Sequence, residues 1–174
     1  SSAEIVSGGY GSSNAAFVIG PGSVLCTEGD LTVGYYGSYN QLVLSNGAAS
    51  FTTNLTLGLD SASSNNLCLV DGGVLRVTNA ARLAILDVRR GTIQFGNGGV
   101  IEADGMLLTN TLGTFQFNGG SLDVRASTVL NAQPFVVGDG VSAATLSLIG
   151  NGTHSFANGL TLRGNSWLTG NGSI

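Results

Sequence analysis

Leu31-Thr32-Val33-Gly34, followed by Gly37-Ser38-Tyr39-Asn40 and Leu42-Val43-Leu44-Ser45-Asn46-Gly47, returns as Leu55-Thr56-Leu57-Gly58, Ser64-Asn65-Asn66 and Leu67-Cys68-Leu69-Val70-Asp71-Gly72. A period of roughly 24 to 26 residues with three short strand patterns marks a solenoid, since one repeat cannot bury its apolar face alone. An earlier copy reads Ile5-Val6-Ser7-Gly8, Gly11-Ser12-Ser13-Asn14, Phe17-Val18-Ile19 and Val24-Leu25-Cys26. Three strands per period, separated by Gly and Asn-Gly corners, predict a right-handed, three-sided parallel β-helix.

Later segments keep the grammar with looser spacing: Ile93-Gln94-Phe95, Val100-Ile101-Glu102, Phe115-Gln116-Phe117, Leu122-Asp123-Val124, Phe135-Val136-Val137, Leu146-Ser147-Leu148, Ser155-Phe156, Leu160-Thr161-Leu162 and Trp167-Leu168. The expectation is about six complete coils and a partial seventh, one solenoid domain over 1–174 and a rod on the order of 30 Å long. Two internal stacks follow from matching apolar positions. One joins Leu31, Leu55, Phe135 and Leu160; the other joins Leu42, Leu67, Ile93, Phe115 and Leu146. The stretch Ala80 to Arg90 is the least regular, and strand is favoured there over a short helix.

Composition agrees with this reading. The chain has 28 Gly, 43% apolar residues and only 9% charged residues, which suits turns and half-buried strands better than solvated helices. Its net charge is −4 and all six basic residues are Arg, an acidic balance (pI near 4.6) that argues against a nucleic-acid partner. No apolar run reaches the roughly 18 to 20 residues of a membrane-spanning helix. The opening Ser1-Ser2-Ala3-Glu4 carries neither Met nor the basic and apolar parts of a signal peptide, so a processed form or a segment of a longer repeat protein is expected.

The pattern Leu-Thr-Val-Gly, then Gly-Ser-x-Asn-x-Leu-x-Leu-x-Asn-Gly-Ala, carried by Leu31 to Ala48 and more loosely by Leu55 to Val74, resembles the glycine-rich repeats of bacterial autotransporter-like and PEP-CTERM-associated surface proteins. The ending Gly164 to Ile174 is similar to the Leu-x-Gly-Asn-Gly-x-Ile segments of such passengers. The resemblance implies a secreted or surface-displayed β-helix and carries no catalytic residues across.

Few groups invite chemistry. Arg76, Glu102 and Asp123 should share one outward position on successive coils, with Ser50 before and Ser155 after, and Asp104 and Arg125 nearby. Carboxylates about 5 Å apart suit glycosidic chemistry or a hard cation. The plainer reading pairs Arg76 with Glu102 across a rung and leaves the rest solvated. In Asp87-Val88-Arg89-Arg90, Asp87 and Arg89 should face one side and Val88 and Arg90 the other, as an acidic-substrate or subunit contact or as a turn that blocks sheet growth.

His154, the single histidine, leaves no room for a multi-histidine metal site and should be packed or at a corner. By alternation Cys26 should face in and Cys68 out, too far apart for a disulfide, so both thiols should be free. No metal or cofactor is expected. Gly96-Asn97-Gly98-Gly99 and Gly138-Asp139-Gly140 are corners, since no phosphate-loop Lys accompanies them. Asn54, Asn151 and Asn171 head glycosylation sequons.

Three functions compete. The first is a non-enzymatic structural or adhesive rod on the cell surface that stacks end to end into a filament, because strand grammar starts by Ile5 and still runs at Trp167-Leu168. The second is a polysaccharide-binding or polysaccharide-cleaving β-helix, with surface glycans as partners. The third, an ice-binding array, would use Thr32, Thr56 and Thr161 at one outward position.

Overall fold

In the computed structural model, which describes residues 3–5 and 11–174, every regular element is a β-strand and every ladder between strands is parallel. The expected β-solenoid is present, with six full coils and a partial seventh. No helix among the described residues is long and apolar enough to cross a membrane. Val6, Ser7 and Gly8 of the earliest repeat lie outside the described residues.

Three faces make the coil. Face one is a seven-stranded sheet of Ala15–Ile19, Gln41–Ser45, Asn66–Asp71, Gly91–Gly96, Gly113–Phe117, Phe135–Val137 and Leu160–Leu162. Face two runs from Val24–Cys26 through Ala49–Thr52 and Val74–Val77 to Ala144–Leu148 and Ser166–Gly170. Face three holds Ala3–Ile5, Leu31–Val33, Leu55–Leu57, Ile85–Val88 and His154–Phe156. In coils four and five, Val100–Leu108 and Gly120–Val129 serve both of the last two faces, continuing straight through the corner between them. The stretch Ala80 to Arg90 divides into a loop over 78–84 and the strand Ile85–Val88, with no helix.

Alternation places Leu42, Leu44, Val70, Ile93, Phe95, Leu122, Leu146 and their neighbours in one continuous apolar core. Face one carries an aromatic run, Phe95, Phe115 and Phe135, with ring centroids 5.7 and 5.4 Å apart at successive steps. Such offset rings add to the area they bury.

The detailed register corrects both expected stacks. Leu31 and Leu55 stack on face three, under Leu86, whereas Phe135 and Leu160 stack on face one. Leu42 lies over Cys68, which lies over Ile93 and then Phe115; Leu67 sits one residue out of phase, beside Gln41 and Thr92. Leu146 belongs to face two, between Leu122 and Leu168. Cys68 is therefore fully buried and Leu67 half-buried on the outside, the reverse of the expected parity.

The cause is polar. Asn40 Oδ1 accepts the Asn14 Nδ2 donor at 3.0 Å, and Asn40 N donates to Asn66 Oδ1 at 2.8 Å. Ser12, Ser38 and Ser64 form a second ladder beside it. These amides are buried at Asn40 and Asn66, where a lost hydrogen bond costs more than a shifted Leu. The ladders fix a step of 26 residues, and that step brings Cys68 over Leu42. Cys26 is corrected as well: Leu25 turns inward with Ser50 and Leu75, leaving Val24 and Cys26 exposed.

Candidate functional site

The two straight strands, Val100–Leu108 and Gly120–Val129, sit low because no loop separates their faces. Coil three leaves the helix path at 78–84 before resuming at Ile85, and coil six does so at 149–153 before His154. The straight rungs thus form the floor of a trough between two bulges, which stand three rung spacings apart, about 14 Å. A cleft of about 380 Å³ lies there, lined by Thr78, Asn79, Arg82, Glu102, Asp123 and Arg125, with Ala103, Asp104 and Ile149 completing it.

Asp104 builds the near wall. Its carboxylate is 5% exposed and accepts the backbone N–H of Asn79 at 2.9 Å and of Ala84 at 3.4 Å, so a buried charge holds both ends of the loop. Arg125 reaches back one rung, placing Nε 3.4 Å from Asp104 Oδ1. Charge-assisted bonds of this kind hold geometry more firmly than neutral ones.

The outward column expected from the sequence is present: Arg76 lies beside Glu102, which lies beside Asp123. Its flanks differ from expectation. Phe51 precedes Arg76 and Ser147 follows Asp123, while Ser50 points into the core and Ser155 lies on face three. Phe51 was missed because Ser50 looked like the polar member of the pair; its ring lies 5.4 Å beneath the Arg76 guanidinium. Arg76 grips Glu102 with two hydrogen bonds, of 2.7 and 3.3 Å. The pair is exposed to water and contributes only a few tenths of a kcal/mol, but it orients both groups.

Asp123 has no cation partner among the described residues. Partial burial pushes its carboxyl above the ordinary range, the adjacent Glu102 carboxylate adds to the rise, and a Ser147 hydrogen bond opposes it. The column therefore holds two acids in unlike settings: Glu102 is paired with Arg76, whereas partial burial favours the protonated form of Asp123.

No protein family, curated protein or solved structure matches this chain.

The other expected residues are dispersed. Asp87 and Arg89 face one side, as alternation requires, and pair at 2.6 Å over a shallow hollow on face three lined by Asp30, Asn54 and Thr56. They do not form a turn that blocks sheet growth, since Ile85–Val88 has a strand on either side. Arg90 sits at the following corner, its N–H bonded to Leu57 O at 3.1 Å, and is separate from the trough. Thr32 and Thr56 are adjacent, but Asp87 and Leu107 continue their column and Thr161 lies on face one, so the expected threonine array is not formed.

Among the sequons, Asn54 is tied on both sides, donating to Asp30 at 2.7 Å and accepting Ile85 N–H at 2.7 Å. Asn151 and Asn171 are exposed on one corner of adjacent rungs, joined by a 3.3 Å bond from Asn151 N to Asn171 Oδ1.

His154 is packed inside the coil, 2% exposed, with Nδ1 2.9 Å from Ser127 Oγ and Nε2 without a hydrogen-bond partner. Desolvation holds its pKa below the ordinary value near 6.5. The unfolded chain then binds the proton more readily, so this residue's contribution to stability is complete above about pH 6.5 and is lost as pH falls. Melting temperature should drop on acidification below that value, with a slope of up to about 1.4 kcal/mol per pH unit from this proton. His154→Gln should flatten the profile between pH 7 and 5; an unchanged profile would assign the acid sensitivity elsewhere.

Both cysteines are free, Cys26 exposed and Cys68 buried. Burial pushes the Cys68 thiol up to about 12, leaving almost no thiolate at neutral pH. A thiol reagent should titrate one group per native chain, and a second only in denaturant. Two fast equivalents in the native state would contradict this placement.

Proposed function

We propose that this chain is a non-enzymatic structural or adhesive module of the cell surface, a stiff β-helical rod that self-associates into a filament. The observation that carries this reading is the last rung. Leu160–Leu162 and Ser166–Gly170 are hydrogen-bonded to a neighbouring strand on one side only, among the described residues. Leu162, Trp167 and Leu168 are 44, 53 and 39% exposed there. Such an edge accepts a further parallel rung, either from the same chain continuing or from a second copy, and an end-to-end contact that does not close yields a filament. The resemblance of Leu31 to Ala48 to autotransporter-like and PEP-CTERM-associated repeats supports an extracellular setting. Negative-stain images and sedimentation over a concentration series test the proposal: lengthening rods are expected, and a monomer that persists at high concentration would overturn the filament.

A second reading, a β-helix that holds a polysaccharide, is favoured by the trough. The cleft combines acids, guanidinium groups, an amide and a hydroxyl over two straight rungs. In this reading the rod is an adhesin whose ligand lies against faces two and three.

A further inference from the structure

We propose that the trough between the 78–84 loop and the 149–153 bulge is a binding site for an uncharged sugar segment, one to two rings of a neutral polysaccharide. This inference rests on the polysaccharide reading and narrows it to one chemical class.

The charges in the cleft decide the class. Asp104 is matched by Arg125 and Glu102 by Arg76, so two lining groups of opposite sign remain uncommitted, Arg82 and Asp123. Arg82 is exposed on the loop and has no ion-pair partner among the described residues. A polyanionic sugar would meet Arg82 favourably but would bring its carboxylates against Glu102 and Asp123. A cation would meet the reverse conflict. A neutral sugar suffers neither, because each hydroxyl both donates and accepts: Asp123 can accept from one hydroxyl while Arg82 donates to another.

The walls fit the same ligand. Ile149, half-buried, supplies apolar surface for the C–H side of a ring, while Thr78 and Asn79 offer a hydroxyl and an amide at the rim. Convergent polar groups around a small apolar surface, in a cleft of a few hundred Å³, are the usual form of a small-ligand site. Asp104 keeps the loop in place before any ligand arrives, which lowers the ordering cost of binding.

The experiment compares a neutral glucose hexasaccharide with a galacturonic acid hexasaccharide by titration calorimetry. It uses the whole chain and the variants Arg82→Ala and Asp123→Asn, both side chains facing outward. Melting curves establish that each variant is folded. The neutral sugar should bind, the uronate at least about tenfold more weakly, and each variant should weaken neutral binding by about tenfold. Preference for the uronate would overturn the neutral class while leaving the polysaccharide reading in place. Failure of both sugars to bind would overturn both. Binding unchanged in both folded variants would place the ligand elsewhere and overturn this site.

Discussion

Cys68→Asp should abolish cooperative folding, whereas Leu67→Asp should lower the melting temperature by only a few degrees. Cys68 has no exposed surface and lies between Leu42 and Ile93, so an aspartate there is a charge without water or a partner. A loss of about 4 kcal/mol or more is expected, enough to unfold many domains. Leu67 points outward between Gln41 and Thr92, where a carboxylate remains hydrated and the cost is about 1 kcal/mol. Circular dichroism melts of the two variants measure the difference directly. Equal losses, or a greater loss for Leu67→Asp, would mean that face one is in the other register.

The second large effect is at Gly120, where the chain turns into the longest strand. Its φ is +92°, and an added Cβ would lie 2.1 Å from the carbonyl oxygen of Gly99 on the rung before. That atom is backbone and cannot swing away. Gly120→Ala should therefore cost about 2 to 4 kcal/mol. Gly98 is the control: its φ of +75° also disfavours a side chain, but nothing lies within 4 Å. Gly98→Ala should cost only about 1 kcal/mol. Urea titrations of both variants should separate them; if the two match, torsional strain alone explains glycine at these corners.

The same positions show what could be read from the sequence. The period, the three strands per coil and the strand segments from Leu31 to Leu168 were legible because alternation and glycine corners are local signals. Phase was not legible from apolar residues, because Leu67-Cys68-Leu69-Val70 alternates equally well in either parity once Cys is allowed inside. The deciding information was present in Asn14, Asn40 and Asn66, whose even spacing aligns Cys68 with Leu42. Buried amides tolerate no slip, while an aliphatic stack tolerates several.

The trough was half legible. Arg76, Glu102 and Asp123 fell into one column by counting, and Asp104 and Arg125 were near enough to join them. Arg82, Asn79 and Ile149 could not be reached that way, since they come from departures from the repeat rather than from the repeat itself. The step along face three is 31 residues from Leu55 to Leu86 but 20 from Leu86 to Met106. Where neighbouring coils differ that much in length, the longer one must overhang the shorter.

Every ladder hydrogen bond in this molecule lies along the rod, because the strands run across it. Tension applied between the two ends therefore pulls each rung straight off the next, one bond after another, instead of shearing a whole ladder at once. A single molecule stretched this way should yield at low force and lengthen in increments of about 80 Å, one uncoiled turn at a time. Side-chain contacts between the outer faces of neighbouring rods would convert that peeling into shear, so resistance to stretching would belong to the bundle and not to the single rod.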